Sequence, residues 1–240
     1  MALFVGTAGW SLPRAEQREF PGSGSHLERY AARFLAAEIN SSFHRTHREA
    51  TWIRWRQSVP SDFRFSVKMP KAITHTARLA DCDTLIAAFL KEIATLGGTL
   101  GCLLVQLPPS LGFVPDLADR FFSALRTRTA LMIACEPRHE SWFAADADAL
   151  LLQHHIARVA ADPARVPVAA EPGGWRDFTY YRLHGSPKIY YSAYESAVIA
   201  TLAARVRKDL SAARTVWAIF GNTTLGAATR NALDLTNALI

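Results

Sequence analysis

The chain has 240 residues, half of them hydrophobic, a tenth aromatic and a fifth charged, a balance that buries a sizeable core and excludes intrinsic disorder. Its apolar runs fall short of the ~20 residues that cross a bilayer, and Met1 to Trp10 carries neither the charged start nor the cleavage site of a secretory leader; a cytoplasmic protein with no membrane partner is the expectation. The formal charge of +6 comes from 22 Arg against 5 Lys, and arginine is the better fork for phosphates and carboxylates. That admits a nucleic-acid partner, although a basic, solvated surface is the favoured reading of the charge. Cys102 and Cys135 sit inside apolar runs and read as core residues, and Cys82 stands between two aspartates. None has the paired spacing of a zinc or redox site, so no disulfide is expected.

Leu3 to Val5 predicts a short buried strand ending at Gly6-Thr7-Ala8-Gly9-Trp10, and Ser11 to Gly24, with two prolines and two glycines, an irregular loop. Ser25 and Glu28 form a capping-box pattern ahead of helical spacing at Leu27, Tyr30, Ala31 and Phe34. Ala36 to Ile39 is the second strand. Thr46 and Glu49 repeat the capping pattern before a helix that carries Trp52 and Trp55 and stops at Pro60. In Phe63 to Met69 the alternation sends Phe63, Phe65 and Val67 one way and Arg64, Ser66 and Lys68 the other.

A helix over Thr84 to Leu96 ends at Gly97-Gly98, and Cys102 to Leu107 makes the fourth strand. Leu117, Phe121, Phe122 and Leu125 mark the next helix. The apolar run from Leu131 is the fifth strand and ends in Glu136, Arg138, His139 and Trp142; a helix over Asp146 to His154 follows. Ile156 to Ala161 is the sixth strand, ending in Asp162. Prolines and glycines then leave room for at most one helical turn before Phe178. Phe178 to Leu183 is the seventh strand, with Tyr180, Arg182 and His184 on one face. A long helix through Val198 and Leu210, an eighth strand at Val216 to Phe220, and a last helix capped by Thr223 or Thr224 complete the chain.

Eight strands alternating with helices, at about thirty residues per unit, predict an α/β fold: one (β/α)8 TIM-type barrel over residues 1–240 with an irregular sixth β/α unit. No Gly-x-Gly-x-x-Gly follows the first strand, which removes the argument for a dinucleotide domain.

At this level the chain resembles the YecE-like family, a domain of unknown function 72 with a TIM-barrel fold. The resemblance runs through Gly6-Thr7-Ala8-Gly9-Trp10, Glu38 to Phe43, Phe65 to Lys68 with Ile73-Thr74-His75, and Leu103 to Pro109. It continues through Glu136, Arg138, His139, Ser141 and Trp142, Tyr181 to Gly185, and Arg230 to Leu233. It implies the barrel and no particular reaction. Three positions depart from the family pattern: His44 replaces an aromatic residue, Ala8 a serine, and Gly221 a polar residue ahead of Asn222-Thr223.

Active sites of such barrels lie at the carboxyl ends of the strands, where the chain places Glu38, Asn40, Lys68, Gln106, Glu136, Arg138, Asp162, Arg182, His184 and Asn222. Buried charges cost several kcal/mol each unless paired, so this ring is either a site or a neutralising network of Glu38, Glu136 and Asp162 with Lys68, Arg138 and Arg182. Read as a hydrolase or lyase, Glu136 is the general acid or base, Lys68 or Arg138 sets its pKa, Glu38 is a second carboxylate and His184 a further catalytic group. Lys68, if desolvated, is also a candidate nucleophile. His75 and His139, beyond their strands, read as loop braces.

The expected substrate is an anionic, phosphorylated small molecule, held by the loops Gly185 to Lys188 and Gly221 to Thr224, with Asn40, Gln106, Arg138, Asp162, Arg182, Asn222, Trp10 and Trp142 in contact with it. No cofactor is expected. Glu38, Glu136, Asp162 and His184 are ligand types that a divalent metal would use, without a short metal motif. The alternative is a nucleic-acid-binding or nucleic-acid-processing protein in which Arg14, Arg18, Arg45 and Arg48 contact phosphates while Trp10, Trp142 and Trp175 stack on bases.

Overall fold

The computed structural model describes residues 2–240. Ten strands form one sheet: β1 (Ala2–Ala8), β2 (Ala36–Ile39), β3 (Arg64–Lys68), β4 (Leu100–Gln106), β5 (Met132–Glu136), β6 (Ile156–Arg158), β7 (Ala160–Asp162), β8 (Gly173–Gly174), β9 (Phe178–Leu183) and β10 (Thr215–Phe220). The order β7-β9-β10-β1-β2-β3-β4-β5-β6-β8 is that of a barrel opened on paper at its sixth strand. There β6 pairs in parallel with β5, and β7 pairs in parallel with β9. Val159, between them, still donates its N–H to Cys135 O at 2.8 Å. Residues 156–162 are thus one strand that changes partner along its length and closes the barrel, as the single sixth strand of the sequence requires.

Seven α-helices follow: α1 (His26–Ala31), α2 (Glu49–Gln57), α3 (Asp83–Ile93), α4 (Pro115–Arg126), α5 (Ala145–Gln153), α6 (Ser196–Ser211) and α7 (Ala227–Leu239). The missing eighth belongs to the irregular unit, where a 3-10 turn at Pro167–Ala170 and the two-residue β8 replace it. β8 runs antiparallel to β6 as a strap. A side chain on Gly173 would strike the Arg158 guanidinium, 2.3 Å from the Cβ position, and Asp148 Oδ1 pins the strap by accepting from Arg158 Nε (3.1 Å) and Gly174 N (2.8 Å).

Capping explains one helix start and corrects two others. Ser25 and Glu28 form the reciprocal box at α1. α2 starts after Arg48 with no side-chain cap, so Thr46 plays no part. α7 starts after Gly226 with no side-chain cap, so neither Thr223 nor Thr224 caps it. Between Ser11 and Gly24 the expected loop contains a 3-10 helix, Arg14–Glu19.

Strand alternation divides the apolar residues into two cores. Outward side chains such as Val5, Ile39, Phe65, Val67, Leu103 and Val105 pack against the helices in the larger one, which also holds Trp52 and Cys82. Inward side chains make a separate plug inside the barrel: Ala36, Cys102, Leu104, Ala134, Phe178, Tyr180, Trp217 and Ile219. Trp217 fills the lower interior, stacked on Tyr180 (centroids 6.0 Å, planes 8° apart) and tilted against Phe4 at 4.8 Å. The plug seals the bottom, so polar inward residues collect at the carboxyl ends. Among the described residues no helix is long and apolar enough to cross a membrane.

Gly101 lies at an irregularity in the β3–β4 register, and a Cβ there would come within 2.7 Å of the Trp217 indole and 2.9 Å of Arg64 Cβ. Overpacking of this kind costs about 1–3 kcal/mol. Gly101→Val should therefore lower the melting temperature by roughly 3–10 °C, whereas Gly98→Ala, with no atom within 4 Å of the new methyl, should leave it within about 2 °C. Equal effects in a thermal melt would disprove the plug as the source of the constraint.

Candidate functional site

The parity that builds the plug also builds the site. Following Ala36, Ser66, Leu104, Ala134 and Tyr180 toward the mouth, the next inward positions are Glu38, Lys68, Gln106, Glu136 and Arg182, with His184 beyond. All six are buried. Arg182, only 4% exposed, spans the barrel: its Nη2 and Nε donate to Glu38 Oε1 and Oε2 at 2.7 and 3.0 Å, and its Nη1 donates to Glu136 Oε2 at 2.7 Å. Glu136 Oε1 lies 2.9 Å from His184 Nε2 and 3.3 Å from Arg138 Nη2. The Tyr180 hydroxyl donates to Glu38 Oε2 at 2.7 Å and lies 3.0 Å from Ser66 Oγ.

Electrostatics follow from that geometry. Burial alone would raise both carboxyl pKa values, but Arg182 outweighs it. Arg182 and Tyr180 hold Glu38 below the ordinary range, and Arg182, His184 and Arg138 hold Glu136 well below it. Both are ionised acceptors with their lone pairs engaged. Glu136 therefore has no proton to give as a general acid, and its oxygens are shared among Arg182, His184 and Arg138. For His184, the contact with Glu136 places a hydrogen on Nε2. Its Nδ1 is buried with no partner and faces the backbone of Gly221, where a Cβ would stand 3.4 Å away.

Lys68 differs from the others. It is 9% exposed, its Nζ lies 4.0 Å over the Phe43 ring, and among the described residues no carboxylate is within salt-bridge distance of it. Burial and the neighbouring Arg182 push its pKa down to about 8 against the pull of Glu38 and Glu136. Burial, then Lys68, Lys71 and Arg138, depress His75 as well, so positive charge prevails around that side chain. Asn40 adds a buried carboxamide oxygen without a partner.

Other expected contacts lie elsewhere. Asp162 follows inward-facing Ala161 and so points outward, where its Oδ1 accepts from the Tyr194 hydroxyl at 2.7 Å. Asn222 braces the loops, donating to Ser192 O (2.8 Å) and Asn231 Oδ1 (3.0 Å). Trp142 is 1% exposed, with its indole N–H on Leu111 O. Trp10 packs edge-on against Trp55 and Phe65, and Trp175 joins the barrel plug. His139 accepts from Ser141 N and braces its loop as expected.

The four suggested metal ligands do not converge, because Asp162 faces away and the Arg182 guanidinium lies between Glu38 and Glu136. Several amides of the loops after the last two strands are already engaged. The amides of Gly185, Lys188, Gly221, Thr224 and Gly226 donate to Tyr194 Oη, Ser192 Oγ, Leu183 O, Tyr190 O and Thr223 O respectively.

Removing Arg182 would leave the buried Glu38 without a counter-ion and Glu136 with only His184 and Arg138, at a cost of about 3–5 kcal/mol. Arg182→Met should lower the melting temperature by roughly 6–20 °C at pH 7. In the parent both carboxyls are held below 4.5, so the unfolded chain protonates first and the parent loses their contribution as the pH falls below that value. The variant's freed carboxyls protonate more readily, so the gap should narrow by pH 4; a constant gap would contradict this account.

The pattern of a family described as protein of unknown function DUF72 matches residues 4–240. UPF0759 protein YecE of Escherichia coli K12 is 32% identical over 110 residues, which are 46% of this chain and 39% of that protein; the alignment thus spans about two fifths of that relative's length. A DUF72 family protein from Thermotoga maritima has a solved structure that superposes with a TM-score of 0.81 at 25% identity, covering 100% of this chain and 99% of that one. One from Enterococcus faecalis V583 superposes with a TM-score of 0.81 at 22% identity, covering 99% and 95%. By fold and by a match over nearly its whole length, the chain belongs to the DUF72 family.

Proposed function

We propose that the barrel mouth is an acid–base active site of hydrolase or lyase type for an anionic small molecule, with Lys68 as the group that exchanges a proton with the substrate. The observation that carries this reading is the unpaired, buried Lys68 ammonium. A cation desolvated without a partner is costly, and an anionic ligand supplies the missing charge. With a pKa near 8 both its forms are populated close to neutral pH, as a proton carrier requires. Arg138, a fifth exposed at its side chain, keeps N–H groups free for the anion, and Asn40 and Gln106 offer polar contacts beside it. Glu38, Glu136, His184 and Arg182 act as the positioning network that keeps the mouth dry and fixed. A phosphorylated substrate fits this charge, with its anion on Lys68 and Arg138.

Arg14, Arg18, Arg45 and Arg48 support a second reading, nucleic-acid binding. They are exposed on the segments that leave the first two strands, and among the described residues none forms an ion pair. The stacking half of that reading loses Trp142 to the interior, and Trp175, partly buried, packs against the plug. A short oligonucleotide should then bind with an affinity that falls steeply between 50 and 200 mM salt; no binding at low salt removes this reading.

Sulfate, whose charge is constant from pH 6 to 10, tests the first reading. Its affinity should fall as the pH rises through about 8, because the ammonium is lost. Lys68→Met should weaken binding at pH 7 by about 10–100-fold, the worth of one charge-assisted hydrogen bond, and flatten the pH profile. Lys68→Arg should keep binding above pH 8. Calorimetric titration showing no sulfate binding at millimolar concentrations, or a profile unchanged in Lys68→Met, rules the assignment out.

A further inference from the structure

The loops that leave β2 and β3 enclose a pocket of about 370 Å³. Its polar walls include His44, Arg45 and Lys71, its apolar walls Phe43 and Phe89, and its one carboxylate is Glu92. That is within the size range of small-molecule sites, which combine apolar walls with a few polar groups. Phe43 is shared with the barrel mouth, since Lys68 Nζ lies 4.0 Å over its ring, but Lys68 itself does not line the pocket. The wall that holds Lys71 has an unusual backbone. Ala72–Thr76 is a π-helical turn, closed by the Ala77 N–H on Ala72 O at 2.9 Å, and such turns are rare and frequent at functional sites. This one buries Ile73 and Thr74 and leaves Lys71, Ala72 and Thr76 exposed along the pocket.

The charge balance there is positive. Among the described residues neither Arg45 nor Lys71 has a carboxylate within ion-pair distance. Glu92 has its Oε1 engaged by the His47 N–H at 2.7 Å and the Trp52 indole N–H at 3.1 Å. Two neighbouring imidazoles register the excess. Burial, then Arg45, lowers the pKa of His47 against the pull of Glu92, and burial, then Lys68 and Lys71, lowers that of His75.

We infer that this pocket is a second ligand site, for an aryl anion: a planar ring carrying a phosphate or carboxylate. Phe43 and Phe89 offer the ring apolar contact. The Arg45 fork and the Lys71 ammonium take the head, and the Thr46 and Thr76 hydroxyls can donate to it. A concave pocket encloses such a molecule, whereas a polynucleotide needs a groove that tracks its backbone. The site stands apart from the anion reading of Lys68 and does not depend on it.

The probe is phenyl phosphate, with inorganic phosphate beside it, titrated calorimetrically at pH 7 into the whole protein and into Lys68→Met, which lacks the ammonium of the mouth. Lys68→Met should still take up one phenyl phosphate per chain, roughly tenfold more tightly than inorganic phosphate because one ring face leaves water. In that background Arg45→Met with Lys71→Met, both at exposed positions, should weaken binding by about 10–100-fold. Thr76→Trp, which fills the pocket and leaves every charge in place, should abolish it. Should Lys68→Met not fold, the parent serves: a second phenyl phosphate per chain that Thr76→Trp removes supports the pocket, and a stoichiometry that Thr76→Trp leaves unchanged overturns it. Binding to the parent that vanishes in a folded Lys68→Met overturns the pocket and leaves the mouth reading standing. Equal affinity for the two probes overturns the aryl class.

Discussion

Two carboxylates from opposite sides of the barrel, Glu38 on β2 and Glu136 on β5, share one guanidinium, that of Arg182 on β9. Much of the structure follows from this arrangement. Neither acid could be buried ionised without it, and Arg182 could not be buried without them. Arginine suits the task because its planar fork donates in several directions at once while its charge is permanent. Tyr180 and Ser66 complete the inner edge of the network and His184 and Arg138 the outer edge. The upper barrel is therefore a crosslinked polar layer over an apolar plug anchored by Trp217.

That saturation separates residues that hold the mouth together from those that can do something there. Glu38 and Glu136 have spent their lone pairs. Lys68, against the Phe43 ring, has not found a counter-ion, and Asn40 has not found a donor. Buried polar groups without partners are few in folded proteins and call for an explanation; at the carboxyl ends of barrel strands a ligand is a natural one. The irregular sixth unit supports this asymmetry. With a strap in place of a helix, the sixth strand turns small apolar residues inward while its neighbours carry the charge.

Much of this was legible in the chain. The alternation Arg64, Ser66, Lys68 against Phe63, Phe65, Val67 identified a strand with one polar face, and the same parity at Glu38, Gln106, Glu136 and Arg182 pointed to one ring. Asp162 was misplaced for a reason of parity too: it is one residue out of phase with Ala161, and a one-residue step moves a side chain to the opposite face. Trp142 is buried, and nearness to a strand end says nothing about whether a neighbouring loop folds over a side chain. Only the three-dimensional closure of the loops after the last two strands shows that Tyr194, Tyr190 and Ser192 engage some of their amides.

The sequence by itself determined the strand and helix succession, the closure into a barrel, the break in the sixth unit and the identity of the inward polar residues. All of these depend on local periodicity and on proline and glycine placement, which short stretches of chain express without help. Only the tertiary structure decided which charges neutralise one another. Glu38 and Arg182 are 144 residues apart in the chain but 2.7 Å apart in space. Coulombic pairing and desolvation depend on that spatial distance and on what excludes water, neither of which a one-dimensional pattern contains. The same reason made Glu136 a locked anion and left Lys68 as the unpaired charge.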